Sequence, residues 1–342
     1  MAQDSIKTRK NYKIAAFPIA FYSPETSVGI GGLGTVTFRK KKNLAQQYPS
    51  QVSFGAALTF EKQLLLYIPF RIYLRNDQFL TYGEVGYYKY SYYFYGIGNA
   101  QATDYRELYK VNFPRIKINA LIKARENLFF GLRYWFENFK IKETEPGKQL
   151  ATDNTIVGRT GSTVSGIGPV INYDSRDNIF YPTRGIFLDA AVQFYRPLTG
   201  SNFEYTRYTT DFSFYIPGKR NRVWAFNVFG DFIDGIVPFN QLAFLGSNKK
   251  MRGFYEGRFR DKNSLILGGE YRFPVYKRFG AVAFANAGAV NKNLTDLPSY
   301  IRTSYGAGIR YALNPKEKIN IRIDAAFGKN TSGFYFTIGE AF

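Results

Sequence analysis

Hydrophobic and polar residues alternate along almost the whole chain. In INIRIDAAFG, residues 319–328, Ile319, Ile321, Ile323, Ala325 and Phe327 share one face, and Asn320, Arg322, Asp324, Ala326 and Gly328 share the other. The same spacing sets Ile186, Leu188, Ala190, Val192 and Phe194 against Phe187, Asp189, Ala191, Gln193 and Tyr195. A period of two is the mark of a strand with unlike faces. Turn-forming residues cut the chain into sixteen such segments: 12–22, 26–40, 50–61, 63–75, 78–91, 105–123, 127–141, 161–173, 184–197, 203–217, 221–234, 264–276, 279–291, 302–313, 317–328 and 331–342. Pro18 and the glycines between 29 and 34 weaken the first two. Connections are either tight (RND, REN, PGKRN, YKR, NPKEK) or long (96–105, 142–160, 235–263). No linker interrupts the pattern, which predicts a short tail at 1–11 followed by one all-β domain at 12–342.

Sixteen amphipathic strands admit two architectures. A soluble sandwich buries the apolar faces in a core. A sixteen-stranded antiparallel transmembrane β-barrel turns them outward to lipid, keeps a polar lumen, and joins its strands by short turns at one end and longer loops at the other. Segments of this length suit a tilted crossing. Aromatic residues recur near segment ends, as membrane interfaces favour. These features predict the barrel.

Composition narrows the chemistry. The 33 Phe and 28 Tyr reinforce a β-rich fold. The chain has no His and no Cys, which excludes Ser-His-Asp and Cys-His catalysis and His- or thiolate-bound metals. Neither an enzyme nor a cofactor is expected. The net charge of +20 calls for anionic surroundings. Because the cations are dispersed among turns and strand faces, outer-membrane lipids and lipopolysaccharide are the expected partners and nucleic acid is not. KKKN at 40–43, GKRN, YKR and NPKEK cluster at the rim predicted to face the periplasm.

Three stretches carry more than pattern. FLGSNKKMRGFYEGRFRDKN, after the eleventh segment, resembles the sixth extracellular loop of the BamA/TamA-like superfamily of outer-membrane assembly and translocation barrels, through Met251, Arg252, Gly253 and Phe254. DSRDNIFYPTRG resembles that family's periplasmic turn, with Asp174, Arg176, Asp177, Pro182, Arg184 and Gly185 in place. LGGEYRFPVYKRFGAVAFANAGAV resembles the strand pair after the loop, with Glu270 at the lumenal acid position and Asn286 where the family carries a second acid.

The resemblance implies that the loop at about 235–263 folds into the lumen, where Arg252 pairs with Glu270, and that the network is simpler here because of Asn286. The bland reading of Arg252 is an exposed cation on lipopolysaccharide phosphate. For the Asp174–Gly185 turn the bland reading is a capped tight turn. The resemblance further implies an outer-membrane location in a Gram-negative bacterium and work on unfolded outer-membrane or secreted polypeptides. That work would occur at a seam between the first and last strands, which Pro18 weakens. Phe334, Phe336, Ile338 and Phe342 form the face of a C-terminal assembly signal, interrupted by Glu340, which is expected to reach headgroups or water. With only the tail before the first segment, the expectation is a barrel-only member without N-terminal periplasmic POTRA domains, acting with a separate periplasmic partner. Alternatives on the same scaffold are a solute channel and an accessory subunit of an envelope complex.

Overall fold

The computed structural model describes residues 12–24, 26–38, 50–75, 77–99, 105–315 and 318–342. The 1–11 tail and KKKN lie outside the described residues. The wall consists of β1 (Tyr12–Ser23), β2 (Ser27–Phe38), β3 (Ser50–Thr59), β4 (Leu64–Leu74), β5 (Phe79–Phe94), β6 (Glu107–Arg125), β7 (Leu128–Thr144), β8 (Ser162–Asp174), β9 (Gly185–Tyr195), β10 (Tyr205–Pro217) and β11 (Val223–Gly235). It continues, after the short β12 (Ala243–Leu245) and β13 (Phe259–Asp261), with β14 (Asn263–Tyr276), β15 (Phe279–Asn291), β16 (Arg302–Asn314), β17 (Ile319–Gly328) and β18 (Thr331–Ile338). Each wall strand pairs antiparallel with its neighbours and β18 meets β1, closing a sixteen-stranded barrel. β12 and β13 form a separate ribbon within the connection between β11 and β14.

Burial runs opposite to that of a soluble sheet. On β17 the polar residues Asn320, Arg322 and Asp324 are buried, whereas Phe327 on the apolar face is 49% exposed. On β14, Glu270 and Arg272 are buried, and Leu265 and Leu267 are exposed. Apolar side chains left facing outward all round the wall need a hydrocarbon solvent, so the polar-in, apolar-out assignment of a transmembrane barrel holds. Among the described residues no helix is long and apolar enough to cross a membrane, which says nothing of strands.

The last segment departs from the sequence reading. β18 stops at Ile338, and Gly339 takes a left-handed φ of 88°, which lets the chain turn off the wall. Phe334 and Ile338 project outward, but Phe342 leaves their face. Its ring packs with Tyr215, Val223 and Ala225, and its main-chain oxygen accepts a bond from Arg272 at 3.0 Å. Glu340 is likewise not at the lipid surface. It is buried and paired with Arg310 at 2.7 Å.

β1 and β18 share one ladder pair, Tyr22 with Phe336, while β1 pairs with β2 along its whole length. The reason is local: past Ile338, which stands opposite Ala20 in this register, the chain has turned away, so among the described residues the Tyr12–Ile19 stretch of β1 has no strand opposite it at the seam.

Candidate functional site

The site is built from inward-facing positions of β14, β16 and β17, set by the two-residue period that turns their apolar residues outward. Onto them comes the stretch 246–258 of the connection between β11 and β14. Gly253, with φ at 102°, bends this stretch so closely against the wall that an added Cβ would lie 3.3 Å from the Phe327 backbone and from Ser304 Cβ. Its amide donates to Tyr335 Oη at 2.9 Å and its carbonyl accepts from the Thr331 hydroxyl at 2.9 Å. Phe254 fills an apolar pocket with Leu245, Met251, Ile266 and Val290.

Between these two residues and the wall, the Arg252 guanidinium is 0% exposed and donates from one nitrogen to Glu270 and from another to Asp324. Its plane lies over the Phe284 ring, 3.6 Å from the centroid. The fork of an Arg suits this double capture, which a single ammonium cannot reproduce. Arg272 pairs with Glu270 at 2.7 Å, and Arg310 joins Asp324 at 2.6 Å to Glu340. Arg322 contributes a bond to the Asn248 carbonyl at 2.8 Å. Four guanidiniums therefore share three carboxylates. Two of the N–H groups left without an acceptor belong to guanidiniums that face rings: Phe284 for Arg252, and Tyr181, Tyr215 and Phe342 for Arg272.

The structure brings Arg252, Gly253, Phe254 and Glu270 together and leaves Asn286 aside. Asn286 donates to the Ser304 hydroxyl at 3.1 Å, whereas the carboxylates that accept from Arg252 are those of Glu270 and Asp324. The second acid comes instead from Asp324 on β17, so the expected simplification is corrected: the network is as rich in carboxylates as a two-acid site. Sequence reasoning had Asp324 on the polar face of IRID but did not connect it to the loop. Also missed was a neighbouring tie, Lys250 Nζ to Asp211 at 2.8 Å and to Asn227 at 2.9 Å.

The Asp174–Gly185 turn is self-contained at its base and reaches out at its tip. Arg176 pairs with Asp174 at 2.8 Å and lies over the Phe187 ring. Asp177 accepts from the Thr183 amide and hydroxyl and from the Arg184 amide. Partial burial pulls the Asp177 carboxyl up, but these bonds and Lys318 outweigh it and hold the group at about 2. Pro182 is buried, and Gly185, at φ 103°, sits where a Cβ would collide with the Ser175 carbonyl. From this base the turn crosses the short-turn mouth of the barrel. Asp177 meets Lys318 of the β16–β17 turn at 3.3 Å, and the Tyr181 ring lies 5.7 Å from the Arg272 guanidinium.

At the opposite mouth the described start of the β5–β6 connection, residues 95–99, reaches across in the same manner. Gly98 donates to the Arg260 carbonyl at 2.8 Å, and Asn99 bonds to the Val290 carbonyl and accepts from Arg302 at 2.6 Å. Among the described residues no group of His, Cys, Asp or Glu is placed to hold a metal ion.

Comparison with known proteins agrees with this geometry. The model of the Omp85 superfamily domain matches residues 33–342. Among solved structures, BamA from Haemophilus ducreyi lacking POTRA domains 1-3 aligns over 97% of this chain and 70% of its own, with TM-score 0.65 and 16% identity. CdiB from Acinetobacter baumannii aligns over 96% of this chain and 60% of its own, with TM-score 0.63 and 12% identity. CdiB from Escherichia coli gives 96%, 63%, 0.62 and 10% in the same order. These likenesses are of fold, and the chain spans less than two thirds of either CdiB. Comparison with curated proteins gives no match.

Proposed function

The chain belongs to the Omp85 superfamily, and from that membership we propose that it is an outer-membrane barrel that inserts barrel proteins into the membrane or passes polypeptides across it through the β1–β18 seam. The observation that carries this reading is the single ladder pair, Tyr22 with Phe336, at the closing edge. An unpaired strand edge is a template for an incoming strand, and the Tyr12–Ile19 stretch of β1 offers such an edge where Ile338 ends its partner. Pro18 removes one donor from it. Next to the seam, Arg252 ties the long connection to β14 and to β17, the neighbour of β18, so the wall beside the opening keeps its shape.

In this role the protein does no covalent chemistry. Its partners are unfolded outer-membrane or secreted polypeptides, lipids and lipopolysaccharide of the outer membrane, and a separate periplasmic protein that delivers substrate. A solute channel is the weaker reading, because described segments reach across both mouths and Arg252 and Phe254 are buried against the wall between them.

The test uses the absence of native cysteine. Replacing Tyr22 and Phe336 with Cys places two thiols on directly opposed residues, a spacing a disulfide bridges. In cells depleted of the native protein, the reduced pair is expected to restore the levels of other barrel proteins or secreted polypeptides, and the oxidised pair to fail. A locked seam that restores them fully would remove the seam from the mechanism. Depletion that changes no envelope protein would remove the assembly role.

A further inference from the structure

The short turns 75–78, 126–127, 218–222 and 277–278, with the strand ends beside them, carry cations that no carboxylate among the described residues neutralises. Arg75, Arg125, Lys219, Arg220, Lys277 and Arg278 are exposed, and none is in an ion pair among the described residues. The same turns hold two acids, Asp77, which is buried, and Glu126. Three of these cations sit in left-handed backbone: Arg75 at φ 51°, Arg220 at 58° and Lys277 at 48°. Gly or Asn occupies that region at lower cost, as Asn127 and Asn221 do in neighbouring positions.

Depth and distribution indicate what the charge meets. Immediately inside the turns lie exposed apolar and aromatic residues, among them Trp224 at 46% and Tyr276 at 64%, which mark the edge of the hydrocarbon band. Arg75 leans on the Phe79 ring and Lys277 on Tyr276, so the cations sit just beyond that edge. The four turns join β4 to β5, β6 to β7, β10 to β11 and β14 to β15, and so extend along half of the circumference. A protein docking on one flank would call for a patch on that flank; a leaflet surrounds the barrel. At the other end the charges are mixed, with Glu61 beside Lys62, and Lys110 paired with Glu143 at 2.7 Å.

We propose that this rim is a lipid site, in which the ring of cations grips the phosphodiester headgroups of anionic phospholipid in the leaflet nearest the short turns. The inference rests only on the barrel spanning a membrane and holds whether or not the seam admits a polypeptide.

The purified barrel is placed in nanodiscs of phosphatidylethanolamine with a minor share of phosphatidylglycerol, stripped stepwise with detergent, and its retained lipid is quantified. Phosphatidylglycerol is expected to be retained in preference. Combined replacement of Lys219, Arg220, Lys277 and Arg278 by Gln lowers that retention about fivefold or more, the worth of at least one surface cation at an anionic leaflet. Lys62→Gln at the other end leaves it unchanged, and inorganic phosphate does not displace the lipid.

A second pair of variants separates binding from folding. Arg220→Asn and Lys277→Asn relax the backbone, so the melting temperature in zwitterionic micelles holds or rises while phosphatidylglycerol retention falls. Equal retention of the two lipids, or unchanged retention in the Gln variant, would hand the rim to an acidic protein partner and overturn the lipid assignment. Displacement by phosphate, or parallel loss of stability and retention in the Asn variants, would overturn it as well.

Discussion

At the scale of single residues, Arg252 has the largest predicted effect. Its removal leaves Glu270 and Asp324 buried and short of a partner, so Arg252→Ala is expected to cost about 3 to 5 kcal/mol. The thermal midpoint in detergent micelles measures this. Arg252→Lys recovers only part of the loss, because an ammonium meets one acid where the guanidinium meets two. Asn286→Ala, by contrast, is expected to cost about 1 kcal/mol or less, the worth of one neutral hydrogen bond. If Asn286→Ala matched Arg252→Ala, the assignment of the second acid to Asp324 would be wrong. The contrast also shows what was legible in sequence. Arg252, Gly253, Phe254 and Glu270 were readable because they lie in short contiguous motifs. Asp324 was not, since it joins the site through the curvature of the barrel, 72 residues along the chain from Arg252. Its position on the polar face was visible; its partner was not.

Asp177 supplies the acid-side prediction at this scale. Its carboxyl is held at about 2, below the ordinary Asp value near 3.9, so the folded state favours the ionised form. The stability this contributes is present above pH of about 4 and is lost as pH falls toward about 2. Asp177→Asn is expected to flatten the thermal midpoint against pH across that window and to leave its shape near neutrality unchanged. A variant that kept the full acid slope would assign the slope to other carboxylates.

At the scale of elements, alternation predicted all sixteen wall strands, most of them within two residues at each end, because each has unlike faces and a turn residue at its limit. The last strand is the exception. A single glycine with positive φ ends it, and the alternation of aromatic residues continues past that point without a strand beneath it. Gly339→Val is expected to favour continued extension beside β1, which would add ladder pairs at the seam. Hydrogen exchange of the β1 amides reads this as slower exchange in the 12–20 region, and unchanged exchange would show that Gly339 does not set the seam. The β12–β13 ribbon was also illegible. Its strands have three residues each, too short for a periodic signal.

At the scale of the whole molecule, the contacts across each mouth bear on permeability. A lumen reached across at one end by the Asp174–Gly185 turn and at the other by residues 95–99 is expected to give little ionic current in a planar bilayer. Asp177→Ala combined with Lys318→Ala frees the turn tip and is expected to raise conductance or its fluctuations above the unsubstituted barrel. A large steady current through the unsubstituted barrel would restore the channel reading.

The tie between Asp177 and Lys318 has a mechanical consequence. It fastens the β8–β9 hairpin to the β16–β17 hairpin as a chord fastens two points on a hoop, and Arg252 rivets β14 to β17 within the arc so enclosed. Deformation of that arc is resisted twice over. If the proposed seam opens, the widening is expected in the untied remainder of the hoop, with the leading hairpin of β1 and β2 moving as a jaw against a stationary one.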